Sequence, residues 1–107
     1  MNGKDSELMR IVDNVIVSCS VLDNDGDTRL SREIVFGKSR RENVQMVRTM
    51  LACQIIAAGF TVSTVATLLK RTPQAIRKML GRGYLLSRTS RAYRIAEKEA
   101  TLLNKQE

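Results

Sequence analysis

The chain's single proline, Pro73, stands directly behind Thr72, at the break in the stretch VATLLKRTPQAIRKML that spans residues 65–80. Proline has no N–H to donate and its ring fixes φ. It therefore breaks a helix interior, but at the first helical position it is already in the right conformation. A hydroxyl just before it can accept from the free N–H groups of the first turn. Thr72 and Pro73 together mark a helix start. Val65, Ala66 and Leu69 before the break, and Ile76, Met79 and Leu80 after it, recur at three- and four-residue steps. Two short helices meeting at a tight turn follow from that spacing.

The same periodicity extends along most of the chain. Leu8, Ile11, Val12, Val15, Cys19 and Leu22 predict a helix from Ser6 to Leu22 with one buried face. The run DNDGD, from Asp23, ends it. A calcium loop of the EF-hand type needs glycine sixth and glutamate twelfth, whereas here Gly26 is fourth and Ile34 twelfth, so a plain turn is expected. SREIVF reads as a short helical turn closed by Gly37, with Ile34 and Phe36 pointing inward. The Gly-Lys-Ser that follows lacks the first glycine of a phosphate-binding loop, because Arg32 holds that position.

A long helix is expected from Glu42 to Ala58, with Val44, Val47, Leu51, Ile55 and Ala58 inward and Gly59 as its stop. Thr61 caps a helix over about Val62–Leu69. Beyond Leu80, Gly81 and Gly83 are expected to end the preceding helix or to lie in its exposed last turn. Tyr93, Ala96, Ala100 and Leu103 share one face of a terminal helix near residues 89–104, and a small two-stranded wing over YLLSR and RAYRI is the second choice. The expected fold is all-α, a compact bundle of about five or six helices containing a helix-turn-helix. It forms a single domain over residues 1–107 with a core at about 6–86 and an additional C-terminal helix.

Composition narrows function. Of 107 residues, 43% are apolar and only 4% aromatic, so Val, Ile, Leu, Met and Ala must build the core. Cys19 and Cys53 sit at helical spacing among apolar residues, and the chain has no histidine, which argues for buried thiols and against zinc. With no histidine, no acids clustered in a helical cleft and no activated nucleophile pattern there is no pattern for an enzyme, and no cofactor is called for. The first residues, MNGKDSELMR, lack the apolar run of a signal peptide and no segment approaches membrane-spanning length, so a cytoplasmic, nucleoid-associated protein without a membrane partner is expected.

Eighteen Lys and Arg against eleven acids give a formal charge of +7, concentrated in GKSRR, LLKRTPQAIRKMLGR and SRTSRAYR. Such a surplus attracts polyanions. With Ile76, Met79 and Leu80 inward, Gln74, Arg77, Lys78 and Arg82 project outward. Gln pairs with adenine edges, and Arg with guanine or phosphate. A solvated amphipathic face is the bland alternative, and a helical protein-interaction domain whose basic face binds an acidic partner is the competing function. Single-stranded RNA fits less well, because only Phe36, Phe60, Tyr84 and Tyr93 could stack on bases.

The order of short helix, basic loop, long helix and two-helix motif, with KSRRENVQMVR supplying Ser39, Arg40 and Arg48, resembles the C-terminal DNA-binding domain of the bacterial replication initiator DnaA, a Trp-repressor-like helix-turn-helix. The similarity covers roughly residues 30–80. The resemblance implies that Arg40 enters the minor groove of duplex DNA. Arg71 matches the arginine of the family signature and Thr72 takes the capping place of its aspartate, while Pro73, Gln74 and Ala75 replace the residues that read bases there. The resulting expectation is a non-enzymatic duplex-DNA binder in replication or transcription control. Gln74 and Arg77 would face bases, Lys38, Arg41, Arg48, Lys70 and Arg71 would lie on phosphates, and Lys78 and Arg82 would stand along the same helix.

Overall fold

The computed structural model describes residues 3–19 and 30–105, with the backbone alone at residues 3 and 4. Leu22 and the DNDGD turn lie outside the described residues. Six helices form the described part, and no strand occurs among these residues. They are α1 (Gly3–Ser18), α2 (Arg32–Phe36), α3 (Glu42–Ala57), α4 (Val62–Leu69), α5 (Pro73–Thr89) and α6 (Arg91–Lys105). The all-α bundle expected from periodicity is what the chain forms. The two-stranded wing is not, since residues 84–89 continue α5 and α6 begins at Arg91.

The starts of the helices follow their side-chain chemistry. Ser31, Thr61 and Thr72 are extended residues whose hydroxyls accept from Ile34, Thr64 and Ala75 N–H respectively. Pro73 occupies the first turn of α5. At the end of α3, Gly59 adopts φ +100, donating to Ile56 O while Phe60 N–H reaches back to Ile55 O. That is the paired reverse bonding of a Schellman stop, with Phe60 folded against the core. Ala58, expected on the inner face, is exposed, because it lies past the last turn.

Helix α3 is central. Val44, Val47, Met50, Leu51, Ala52 and Ile55 are buried, and so are the polar Arg48, Thr49 and Gln54, so the helix is enclosed on nearly every side. Helices α1, α2, α4, α5 and α6 all pack on it. In α2 the fully buried residue is Val35, while Ile34 and Phe36 are half-buried. Helix α6 places Tyr93, Ala96 and Ala100 in the same core as Ile11, Val12 and Val15 of α1. The C-terminal helix is thus a wall of the core and not an addition to it.

Polar side chains stitch these helices. Asn14 of α1 donates to Asn104 Oδ1 at 2.9 Å, and Asn104 donates in turn to Gln54 Oε1 at 3.0 Å. Gln54 then donates to Thr101 Oγ1 at 3.0 Å, so both the nitrogen and the oxygen of this nearly buried amide on α3 are partnered. Outside the core, Arg32 grips Asp13 with two bonds of 2.8 and 2.7 Å, tying α2 to α1. The position that disqualifies a phosphate loop is therefore filled by an ion pair, which holds the Asp13 carboxyl below its usual range.

Gly81 and Gly83 end nothing. Both lie inside α5, and Gly83 is buried. A Cβ on Gly83 would fall 2.5 Å from Cys53 Sγ, 3.2 Å from the Tyr93 hydroxyl and 3.3 Å from Thr49 Cγ2, so glycine is what lets α5 approach α3 and α6 here. Gly81 faces open space. The contact between Tyr93 and Cys53 falls short of hydrogen-bond geometry and leaves the buried hydroxyl unpartnered. Burial pushes the ionisation of Tyr93 and of both thiols upward, that of Cys19 to about 12.

Two outcomes follow from this packing. Gly83→Ala is expected to lower stability by about 1–3 kcal/mol through overpacking, whereas Gly81→Ala, two residues away, raises it by about 0.5–1 kcal/mol through helix propensity alone. Urea melts of the two variants provide the check. Because the unfolded chain gives up its thiol protons near the ordinary 9.0 while folded Cys19 holds its proton to about 12, stability is fully present below pH 9 and is lost progressively as pH rises towards 12. Melts at pH 7, 9 and 10.5 would show it.

Candidate nucleic-acid interface

The loop between α2 and α3, the outer edge of α3 and one face of α5 enclose a groove of about 510 Å³. Lys38, Ser39 and Arg40 form the loop wall, and Gln45, Arg48 and Thr49 of α3 form the floor. Arg71, Ala75, Lys78, Met79 and Arg82 form the opposite wall. Six of these residues are cations, and no acidic side chain among the described residues lines the groove. Residues separated by more than forty positions are thus gathered into one positive concavity. That arrangement focuses a field and attracts anions.

Of the residues expected at a DNA interface, Lys38, Ser39, Arg40, Arg48, Arg71, Lys78 and Arg82 meet in this groove. Gln74 and Arg77 are exposed on α5 outside its lining, one turn apart, and form a ridge beside it. Arg41 is exposed at the entry to α3 and Lys70 is exposed at the end of α4. Thr72 serves as the α5 cap.

Arg48 does not take the expected place on a phosphate. It is 3% exposed, and its guanidinium turns under the loop. Nε donates to Val35 O at 2.7 Å, Nη1 to Ser39 O at 2.6 Å, and Nη2 to Gly37 O at 2.9 Å and Ile34 O at 3.3 Å. The carbonyls of Ile34 and Val35 belong to the last turn of α2; Gly37 N–H reaches Ile34 O at 3.2 Å, and Arg48 adds a second donor to it and supplies one to Val35 O. Arginine offers five donors in a planar fork, so four carbonyls occupy all but one. Burial, and next the nearby Arg71, lower the guanidinium's proton affinity from its ordinary value.

Gln45, which sequence reasoning passed over, holds the same loop from its other side, donating Nε2–H to Arg40 O at 2.8 Å. Its position three residues before Arg48 on one helix face was the available signal. Ser39 Oγ accepts from Arg41 N–H at 3.4 Å. The loop is thereby fixed by side chains of α3, while the Lys38 and Arg40 side chains stay exposed.

The two charges between α4 and α5 have a structural use as well. Lys70 lies in the left-handed region, φ 55 and ψ 48, where its N–H turns back to Thr67 O and that of Arg71 to Ala66 O. This is the same stop that Gly59 makes, built here without glycine. Arg71 donates Nη1–H to Leu69 O at 3.1 Å, so a cation covers the negative end of α4. Yet both charges also precede the positive end of α5, which has no acid in its first turn. An anion at that point would relieve the repulsion.

Lys70→Gly is expected to raise stability by about 1 kcal/mol by removing the left-handed strain of a side-chain-bearing residue, measured by thermal or urea unfolding. No helix among the described residues is long and apolar enough to cross a membrane. No protein-family model matches the chain, and neither the curated proteins nor the solved structures contain a significant match to it.

Proposed function

We propose that the chain is a non-enzymatic duplex-DNA-binding module acting in replication or transcription control, with α4, residues 70–72 and α5 serving as a helix-turn-helix. The observation that carries this reading is the groove, with no acid among its described lining residues, in which a loop and a helix far apart in sequence present Lys38, Arg40, Arg71, Lys78 and Arg82 together. One sugar-phosphate strand fits such a trough. The ridge of Gln74 and Arg77 then faces the major groove on one side of that strand, and Arg40 faces the minor groove on the other. The likeness to the initiator domain supports the same arrangement through the quoted loop and turn residues.

Binding is expected to weaken steeply with salt, by about 0.9 log units in K per log unit of salt for each neutralised phosphate, hence a slope of about −4 to −5 if all five cations engage. Anisotropy titrations of a labelled duplex across salt concentrations measure this. A flat response would remove the DNA reading in favour of an acidic protein partner. Lys78→Ala and Arg82→Ala should each flatten the slope by about one unit on any duplex. Gln74→Ala and Arg77→Ala should lose about 1–3 kcal/mol on a site selected from random duplexes and much less on scrambled DNA.

A further inference from the structure

We infer that Arg48 is a positioning residue for this interface: from beneath the loop it fixes the backbone of residues 37–39, and through that backbone it sets where Lys38 and Arg40 meet a phosphate strand, without carrying a phosphate itself. The inference rests on the duplex-DNA reading, but its geometry is independent of it. An arginine in a basic sequence is ordinarily counted as a phosphate ligand. Here the guanidinium is almost wholly enclosed and donates to carbonyls at the end of α2 and along the loop. A charged group withdrawn from water to this degree stays only where its donors are satisfied. These carbonyls satisfy them, and in return they are held in one conformation.

Gln45 adds a second tie from α3, donating to Arg40 O, and Lys38 and Arg40 are exposed. Neither residue is part of a helix or strand. Their side chains can form one wall of the groove only if the backbone beneath them is rigid, since an interface that must order a loop on binding loses affinity in doing so. Lysine in place of Arg48 would keep the charge, but it is a single ammonium on a flexible stem and cannot span carbonyls on four residues.

Arg48→Lys separates the two roles. If Arg48 positions the loop, backbone NMR order parameters in the DNA-free variant fall to about 0.6 or less at residues 38–41 while those of α4 and α6 are unchanged. Affinity for duplex then falls about tenfold or more although net charge is the same. In a double-mutant cycle, Arg40→Ala weakens binding strongly in the parent and much less in the Arg48→Lys background, because the Arg40 contact is already lost there. Additive losses, or unchanged loop order parameters, would overturn the inference.

The parent protein supplies a second test that needs no variant. On saturation with duplex, the Arg48 Nε–H resonance should keep its shift and slow exchange while that of Arg40 moves. Should Arg48 move as Arg40 does, it is a phosphate ligand and the inference fails. If the parent does not bind duplex at low salt, the DNA reading falls by itself, and the comparison of loop order parameters alone decides whether Arg48 holds the loop.

Discussion

The structure depends on the enclosure of α3. A helix surrounded on nearly every side must be apolar all round or must satisfy each polar group that it buries. Helix α3 takes the second course, and its polar residues then determine what surrounds it. Gln54 draws Asn104 and Thr101 of α6 into a hydrogen-bonded chain that also takes in Asn14 of α1. Arg48 draws in the end of α2 and the loop after it. Thr49 lies at the point where Gly83 lets α5 come close. Helix order in the bundle and the shape of the basic groove thus share a cause: the buried polar positions on one central helix.

Much of this architecture is legible in sequence because caps are local chemistry. Thr61, Thr72 with Pro73, and Gly59 each act within one turn of themselves, and the helices begin and stop where those residues place them. Effects that depend on distant partners are not legible in that way. Gly81 and Gly83 look alike as helix breakers, yet α5 passes through both, since the packing of Gly83 against Cys53 and Tyr93 outweighs a propensity cost of about 1 kcal/mol per glycine. Likewise, Arg48, Thr49 and Gln54 read as the solvated side of an amphipathic helix until their partners are known.

The interface shows the same division. Which cations cluster follows from composition along the chain, because GKSRR and the segment around Pro73 are visibly basic. That they face one another across a single groove is a tertiary fact, fixed by the α3 contacts with both α2 and α5. Only the structure separates Arg48, whose donors are occupied by backbone, from Lys38 and Arg40, whose side chains are exposed. Sequence distance gives no hint of it, for Arg40, Arg41 and Arg48 are equally basic on the page.

A groove whose described lining gathers cations without a carboxylate is an electrostatic burden on the isolated fold. Arg71 recovers part of it by covering the carbonyl end of α4, and Arg48 recovers part by bonding to the loop. Among the described residues, Lys78, Arg82, Lys38 and Arg40 have no such compensation from an acid lining the same groove. Elsewhere the chain does pair its charges, as Arg32 with Asp13 shows. The placement of the described acids away from the groove leaves a site that gains stability when an anion occupies it, because any ligand that binds the folded state alone shifts the folding equilibrium in its favour. A linear polyanion matched to the trough relieves several of these repulsions at once, and isolated counterions relieve them one at a time. That difference links the uneven charge of the sequence to a duplex partner more closely than the total of +7 does.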